Sequence, residues 1–399
     1  MSPRRKSSKN NATLTAAGLI VLIVLGIFYS LTGKDPTGVF DSATPASPNT
    51  AATLTVPQNH PTSASASGAW WEVYFTDPLN VNDPQNWQGS IEGHLIDKIN
   101  AAQTSIHIAS FEFDLTPVAQ ALIAARQRGV DVRWVTDDEN GIEADAAPDR
   151  GQFALLEGAG IEVRADDRSA LMHNKFWIFD GQTVWTGSTN VTESGIFKQN
   201  NNTIVIQSPE LAAIYETEFQ EMWNGQFGPK SPSQIEQQTT SVNGTPIQVV
   251  FTSEDHAIES AIIPVVNTAT QSIRFLAFSF TDFPLAEAMI QRAQNGVNVA
   301  GVFEKVGSDA DSAELNTLYC AQIPVRRDGN SAFMHNKVIV VDSRYVITGS
   351  LNFSTNAEES NDENVIIIDD PDIAQLYMQD FDRIWGLATD PEPDKFPCP

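Results

Sequence analysis

His173 and Lys175 sit in the tetrapeptide Met172-His173-Asn174-Lys175, and the same four residues return as Met334-His335-Asn336-Lys337. Each copy leads into four apolar residues, an aspartate (Asp180, Asp342) and a Gly-Ser-x-Asn turn, Gly187-Ser188-Thr189-Asn190 and Gly349-Ser350-Leu351-Asn352. A lone His-x-Lys is more often a surface or core feature than a catalytic one. Two matching sets imply one site assembled from two halves. Imidazoles move protons and attack electrophiles near neutral pH, while ammonium, hydroxyl and amide groups hold anionic oxygen. Such a set suits phosphodiester cleavage. Lys175 and Lys337 would offset charge on nonbridging oxygens, with Ser188, Asn190, Ser350 and Asn352 binding the phosphate. One histidine would attack phosphorus and the other protonate the leaving oxygen. No cofactor is called for, and two cysteines with the scattered His60, His94, His107 and His256 offer no metal-ligand spacing.

The surrounding elements repeat too. Residues 73–76 are echoed by 249–252, 104–111 by 271–278, and 160–164 by 322–326. In each half a β-branched strand (105–111; 273–278) precedes a helix with apolar spacing that ends at Gly129 or Gly296, where glycine suits a C-cap. A short strand (130–135; 297–303) and a second helix follow. The apolar runs 176–179 and 338–341 then read as buried strands, with 184–186 and 345–348 as hairpin partners. Alternating strands and helices predict an α/β fold for each half. A strand-borne His-x-Lys projects both side chains to one face, with Asn174 and Asn336 facing away.

The pattern His-x-Lys-x4-Asp-x6-Gly-Ser-x-Asn, twice in one chain, closely resembles the phospholipase D superfamily over nearly all of residues 70–385. The resemblance implies a duplicated α/β sandwich, two similar domains around one active site, and metal-independent phosphodiester hydrolysis or transfer through a phosphohistidine. It makes His173 the nucleophile, His335 the acid, and Asp180 and Asp342 structural members of the motif. The superfamily commonly places a carboxylate after the motif to orient a histidine. Glu363, within Asn361-Asp362-Glu363-Asn364, fits that position and is expected behind His335. The stretch Asn200-Asn201-Asn202-Thr203 has no carboxylate, which leaves Glu193 or an asparagine carbonyl to orient His173. An ordinary solvated acid is the competing reading of Glu363.

Ahead of the repeats, residues 14–31 are apolar and uncharged and follow Arg4, Arg5, Lys6 and Lys9. Their length suits a bilayer and the preceding charge an N-terminus inside, so 1–33 is expected to be a signal anchor that leaves the rest extracytoplasmic. A cleaved signal peptide, and secretion, is the rival. Residues 34–69, rich in Ser, Thr, Ala and Pro, read as a flexible tether. The first domain is then 70–225, a linker 226–245, and the second domain 246–399. Trp70-Trp71 suits a membrane surface or, more simply, core packing. Cys320 and Cys398 are free to pair outside the cytoplasm, but sequence leaves their geometry open.

The 399 residues carry 24 basic against 50 acidic groups. Setting aside the five basic and two acidic residues of the first 68 positions leaves 19 against 48, a net of −29. That field opposes nonspecific nucleic-acid binding outside a locally positive cleft. The leading expectation is therefore a membrane-tethered monomer that hydrolyses phospholipid head groups. A nonspecific endonuclease and a phosphatidyltransferase are the alternatives. Specificity is expected in the polar loops 137–150 and 304–312.

Overall fold

A computed structural model of the chain describes residues 66–233 and 238–398. The expected anchor and the tether through residue 65 lie outside the described residues. Among the described residues no helix is long and apolar enough to cross a membrane.

The duplication seen in the sequence becomes two eight-stranded mixed sheets with the same strand order. The first lobe contains β1 (Ala66–Ser67), β2 (Trp71–Phe75), β3 (Ser105–Ser110), β4 (Asp131–Thr136), β5 (Glu162–Ala165), β6 (Lys175–Phe179), β7 (Thr183–Gly187) and β8 (Asn202–Gln207). They lie side by side as β1-β2-β8-β7-β6-β3-β4-β5. The second contains β9 (Thr239–Val242), β10 (Thr245–Thr252), β11 (Ser272–Ala277), β12 (Asn298–Phe303), β13 (Val325–Arg327), β14 (Lys337–Val341), β15 (Tyr345–Gly349) and β16 (Glu363–Asp369). Their order, β13-β12-β11-β14-β15-β16-β10-β9, repeats that of the first sheet. In each lobe the parallel trio (β3, β4, β5; β11, β12, β13) joins antiparallel strands through β6 or β14.

The crossover helices Thr116–Gln127 and Phe283–Gln294 stop just before the expected glycines. Gly129 and Gly296 adopt φ of +95° and +89°. The next residue then folds back, Val130 N–H onto Ala125 O (3.1 Å) and Val297 N–H onto Arg292 O (3.0 Å). That bond explains why β4 and β12 begin one residue later than their β-branched runs suggest.

Asp180 and Asp342 close the β6–β7 and β14–β15 hairpins at positive φ (+54° and +53°). The Asp180 carboxylate accepts the backbone N–H groups of Gln103, Thr104 and Ser105, and Asp342 those of Thr270, Gln271 and Ser272. Each hairpin is thereby tied to the start of the strand beside it.

Apolar side chains gather into three clusters. One fills the outer side of each lobe, and a central one is shared by both. The central cluster joins the helices Pro209–Trp223 and Pro371–Leu387 to the inward faces of both sheets, and Trp70 and Trp71 pack against its edge. Core packing therefore accounts for the tryptophan pair. Cys320 and Cys398 form a disulfide that fastens the C-terminal tail to the helix Leu315–Cys320.

Candidate active site

β6 and β14 begin at Lys175 and Lys337, so each histidine lies two residues before its strand rather than on it. The backbone there reaches into the opposite lobe instead. His173 N–H donates to Asp362 O (2.9 Å) and His335 N–H to Asn200 O (2.8 Å), within short parallel bridges Met172–Asp362 and Asn200–Met334. Lysine still turns toward its own histidine: Lys175 Nζ donates to His173 O (2.8 Å) and Lys337 Nζ to His335 O (2.7 Å). One aromatic ring serves each pair. Phe111 packs edge-on against His173 (4.8 Å between centroids) and lies 5.0 Å from Lys175 Nζ; Phe278 does the same at 4.6 Å for both His335 and Lys337. All four catalytic candidates are buried, the histidines 5–6% exposed and the lysines 1–2%.

The crossing of the backbone overturns the expected pairing. Glu363 Oε2 lies 2.7 Å from Nδ1 of His173, not of His335. His335 Nδ1 instead faces Asn201 Oδ1 (3.0 Å) and Ser188 O (3.2 Å). Each backing group follows the motif of one lobe and serves the histidine of the other. The registers align Asn201 with Glu363, because Ser188 N–H donates to Asn202 O and Ser350 N–H to Asn364 O at matching positions. The first-lobe counterpart of 361–364 is thus 199–202, one residue earlier than the asparagine run suggests. Glu193 takes no part: it pairs with Lys198 at the surface (2.8 Å).

Ser188 and Ser350 are fully buried and hold the backing groups. Ser188 Oγ donates to Asn201 Oδ1 (2.8 Å) and accepts from Asn202 N–H (3.1 Å). Ser350 Oγ hydrogen-bonds the Glu363 carboxylate and accepts from Asn364 N–H (3.0 Å). Both hydroxyls are engaged behind the histidines rather than presented to a ligand. Asn190 and Asn352 differ. Both Oδ1 atoms are buried and have no hydrogen-bond partner among the described residues. A buried amide without a partner is costly unless a ligand completes it.

Sequence reasoning missed two further pairs. Asn174 and Asn336, the middle residues of the two motifs, are fully buried where the lobes meet. There, Asn364 Nδ2 donates to Asn174 Oδ1 (2.9 Å) and Asn202 Nδ2 to Asn336 Oδ1 (2.7 Å), joining the lobes twice. At the ends of β4 and β12, Asp137 and Glu304 accept the N–H of the motif methionines, Met172 (3.1 Å) and Met334 (2.6 Å). Their equivalence in the repeat is the signal that could have found them.

Burial disfavours the charged form of every ionisable group in the site. Burial, then the Lys175 and Lys337 ammonium groups, push the His173 imidazole well below its ordinary pKa, and a hydrogen bond with the Ser350 backbone opposes them. Burial, Lys337 and Lys175 lower His335 in the same way. Burial brings Lys175 down to about 8 and Lys337 well below its usual value. Glu363 is pushed up to about 7, again by burial, with Lys175 acting against it. An arriving anion would relieve these pressures by giving the cations a partner.

The chain matches the family model described as "Cardiolipin synthase, PLD-like domain" twice, over residues 95–223 and 262–385. It is 33% identical over 138 residues to a mitochondrial cardiolipin hydrolase of Xenopus tropicalis, covering 35% of this chain and 66% of that protein. It is 35% identical over 116 residues to a phospholipase D of Rickettsia bellii, covering 29% and 58%. The chain thus spans less than two thirds of either relative's length. The crystal structure of phosphatidylserine synthase from Haemophilus influenzae superposes with a TM-score of 0.53 at 15% identity, over 74% of this chain and 84% of that one, a likeness of fold.

Proposed function

The chain belongs to the phospholipase D superfamily, and on that premise we propose that it hydrolyses phospholipid head groups through a phosphohistidine on His173 without a metal ion. The observation that carries this reading is the unequal backing of the two histidines, Glu363 behind one and Asn201 behind the other. A carboxylate accepting Nδ1–H fixes the tautomer, raises the basicity of Nε2 and steadies the cation left after attack. A neutral amide stabilises an imidazolium less, so His335 in its protonated form is the stronger acid.

In the first step His173 Nε2 forms a bond to phosphorus while the P–O bond to the head-group alcohol breaks. His335 gives its Nε2 proton to that departing oxygen. In the second, His335 takes a proton from water, whose oxygen attacks phosphorus and breaks the N–P bond. Lys175, Lys337, Asn190 and Asn352 supply the charge and hydrogen bonds for the nonbridging oxygens. The relatives' names, cardiolipin hydrolase and phospholipase D, favour lipid as the substrate class. Residues 14–31 would hold the catalytic unit near its substrate from the outer side of the membrane. Both halves of the site come from one chain, in keeping with a monomer.

The test is incubation of the full chain with phosphatidylcholine, phosphatidylethanolamine and cardiolipin in EDTA. Head group or phosphatidic acid should appear, His173→Ala should abolish its release, and quenched turnover should leave an acid-labile phosphatidyl group on the peptide containing His173. Degradation of DNA with no lipid cleaved would overturn the substrate assignment.

A further inference from the structure

Glu112 is a carboxylate that the steps above do not use. It follows β3 between two anchors: Phe111 N–H donates to Asn174 O (3.1 Å) and Asp114 N–H to Val191 O (3.2 Å), with Phe113 bridging Val191. Those anchors adjoin Lys175 and Asn190, the ammonium and the amide of the phosphate site. Phe111, its neighbour, touches both His173 and Lys175.

The second lobe provides a control within the same molecule. There Phe278 N–H donates to Asn336 O (2.9 Å), Thr281 N–H donates to Phe353 O (2.8 Å), and Phe280 bridges Phe353. The residue held between these anchors is Ser279. One position of a shared framework thus carries a carboxyl beside the nucleophile and a hydroxyl beside the acid.

Glu112 is only partly exposed, yet among the described residues its side chain makes no hydrogen bond and no ion pair. Burial pushes its carboxyl above the usual range, and Arg150 and Lys175 offset this only from a distance. Arg150 is itself drawn toward Asp114, at 3.9 Å. A desolvated carboxylate without a partner is unfavourable, and a ligand cation would complete it.

We propose that Glu112 receives a cationic group of the substrate, so that the site selects zwitterionic phosphodiesters of the ethanolamine type over those without a cation. The inference rests on the phosphate site assigned above. Lys175 is among the charges that act on Glu112, so an ammonium two carbons from the ester oxygen would be placed toward Glu112 when its phosphate meets Lys175. Lobe asymmetry then has a chemical purpose: the phosphate is held by groups from both halves, and the cation by the first half alone.

Calorimetric binding of phosphoethanolamine and ethyl phosphate to the full chain tests this, since the two ligands differ by the ammonium. The wild type should prefer phosphoethanolamine by roughly tenfold, the scale of one charge-assisted hydrogen bond. Glu112→Ser, which installs the residue of the second lobe, and Glu112→Gln, which keeps the shape, should each bring the ratio toward one. Equal affinities in the wild type, or a preference that survives in both variants, overturns the proposal. Wild-type hydrolysis of bis(p-nitrophenyl) phosphate, which has no cation, separates the two levels. Turnover without ammonium preference overturns the role of Glu112 alone, whereas no turnover and no binding of either ligand overturns the phosphate site as well.

Discussion

Glu363 and Asn201 differ by one functional group, and the division of labour between the histidines rests on that difference. Replacing Glu363 by Gln keeps the hydrogen-bonding shape and removes the charge. Loss of such a backing group commonly costs 10- to 100-fold, so kcat for Glu363→Gln should fall by about that factor, with a smaller change in KM. The pH profile adds a signed test. Glu363 has its pKa at about 7, so below that pH it takes up a proton and His173 loses its anionic partner. Lys175, at about 8, surrenders its charge above that pH. kcat/KM should therefore decline on both sides of neutrality, and Glu363→Gln should flatten the acid side while leaving the alkaline side. An acid limb unchanged in Glu363→Gln would count against Glu363 as its origin. The histidines and lysines were legible in the sequence because types and spacing repeat, and Glu363 was legible through the family resemblance, as the carboxylate that follows the second motif. Which histidine Glu363 serves was not legible. That depends on backbone bridges between lobes, Met172 with Asp362 and Asn200 with Met334, and no local pattern encodes them.

At the scale of elements, the site depends on how β4 and β12 end. Asp137 and Glu304 leave those strands and cap the motif backbone from below, one N–H each. Removing such an acceptor strands a buried donor, at a cost of about 1–3 kcal/mol. Asp137→Ala should lose stability of that order in urea unfolding, and its kcat should fall by a larger factor than KM rises, since the brace acts first on the Met172–His173 backbone. Unaltered kcat in a measurably destabilised Asp137→Ala would show that the brace supports the fold but not the chemistry. Strands and crossover helices were readable from apolar runs and from Gly129 and Gly296. Asp137 and Glu304 were not, since each opens a polar segment that resembles a substrate loop until its partner N–H is known.

For the whole molecule, the excess of acid has a second meaning beyond solubility. Seven carboxyls, Glu92, Asp166, Glu218, Glu254, Glu304, Asp362 and Glu363, are shifted up mainly by burial, to about 7 or 8 or, for Glu218, well above the ordinary value. In the unfolded chain they ionise near 4. A raised folded pKa means the native state holds the proton more tightly, so its contribution is full below the unfolded value and is lost as pH rises through the folded one. The lowered histidines act in the opposite sense, but only below their unfolded value of about 6.5. Lys175, lowered to about 8, contributes chiefly above that pH, and Lys337, also lowered, is a single group working against the seven carboxyls. Asp180 and Asp342, held below their ordinary value by backbone N–H groups, withdraw support only under strong acid. Between about pH 6.5 and 8 the buried carboxyls dominate, and thermal stability should fall as pH rises across that window. Repulsion among surface acids changes little there, because those groups are already ionised, so added salt should raise the whole curve without removing its slope. A melting temperature that climbs from pH 6.5 to 8 would mean that these carboxyls are ionised and paired in the native protein.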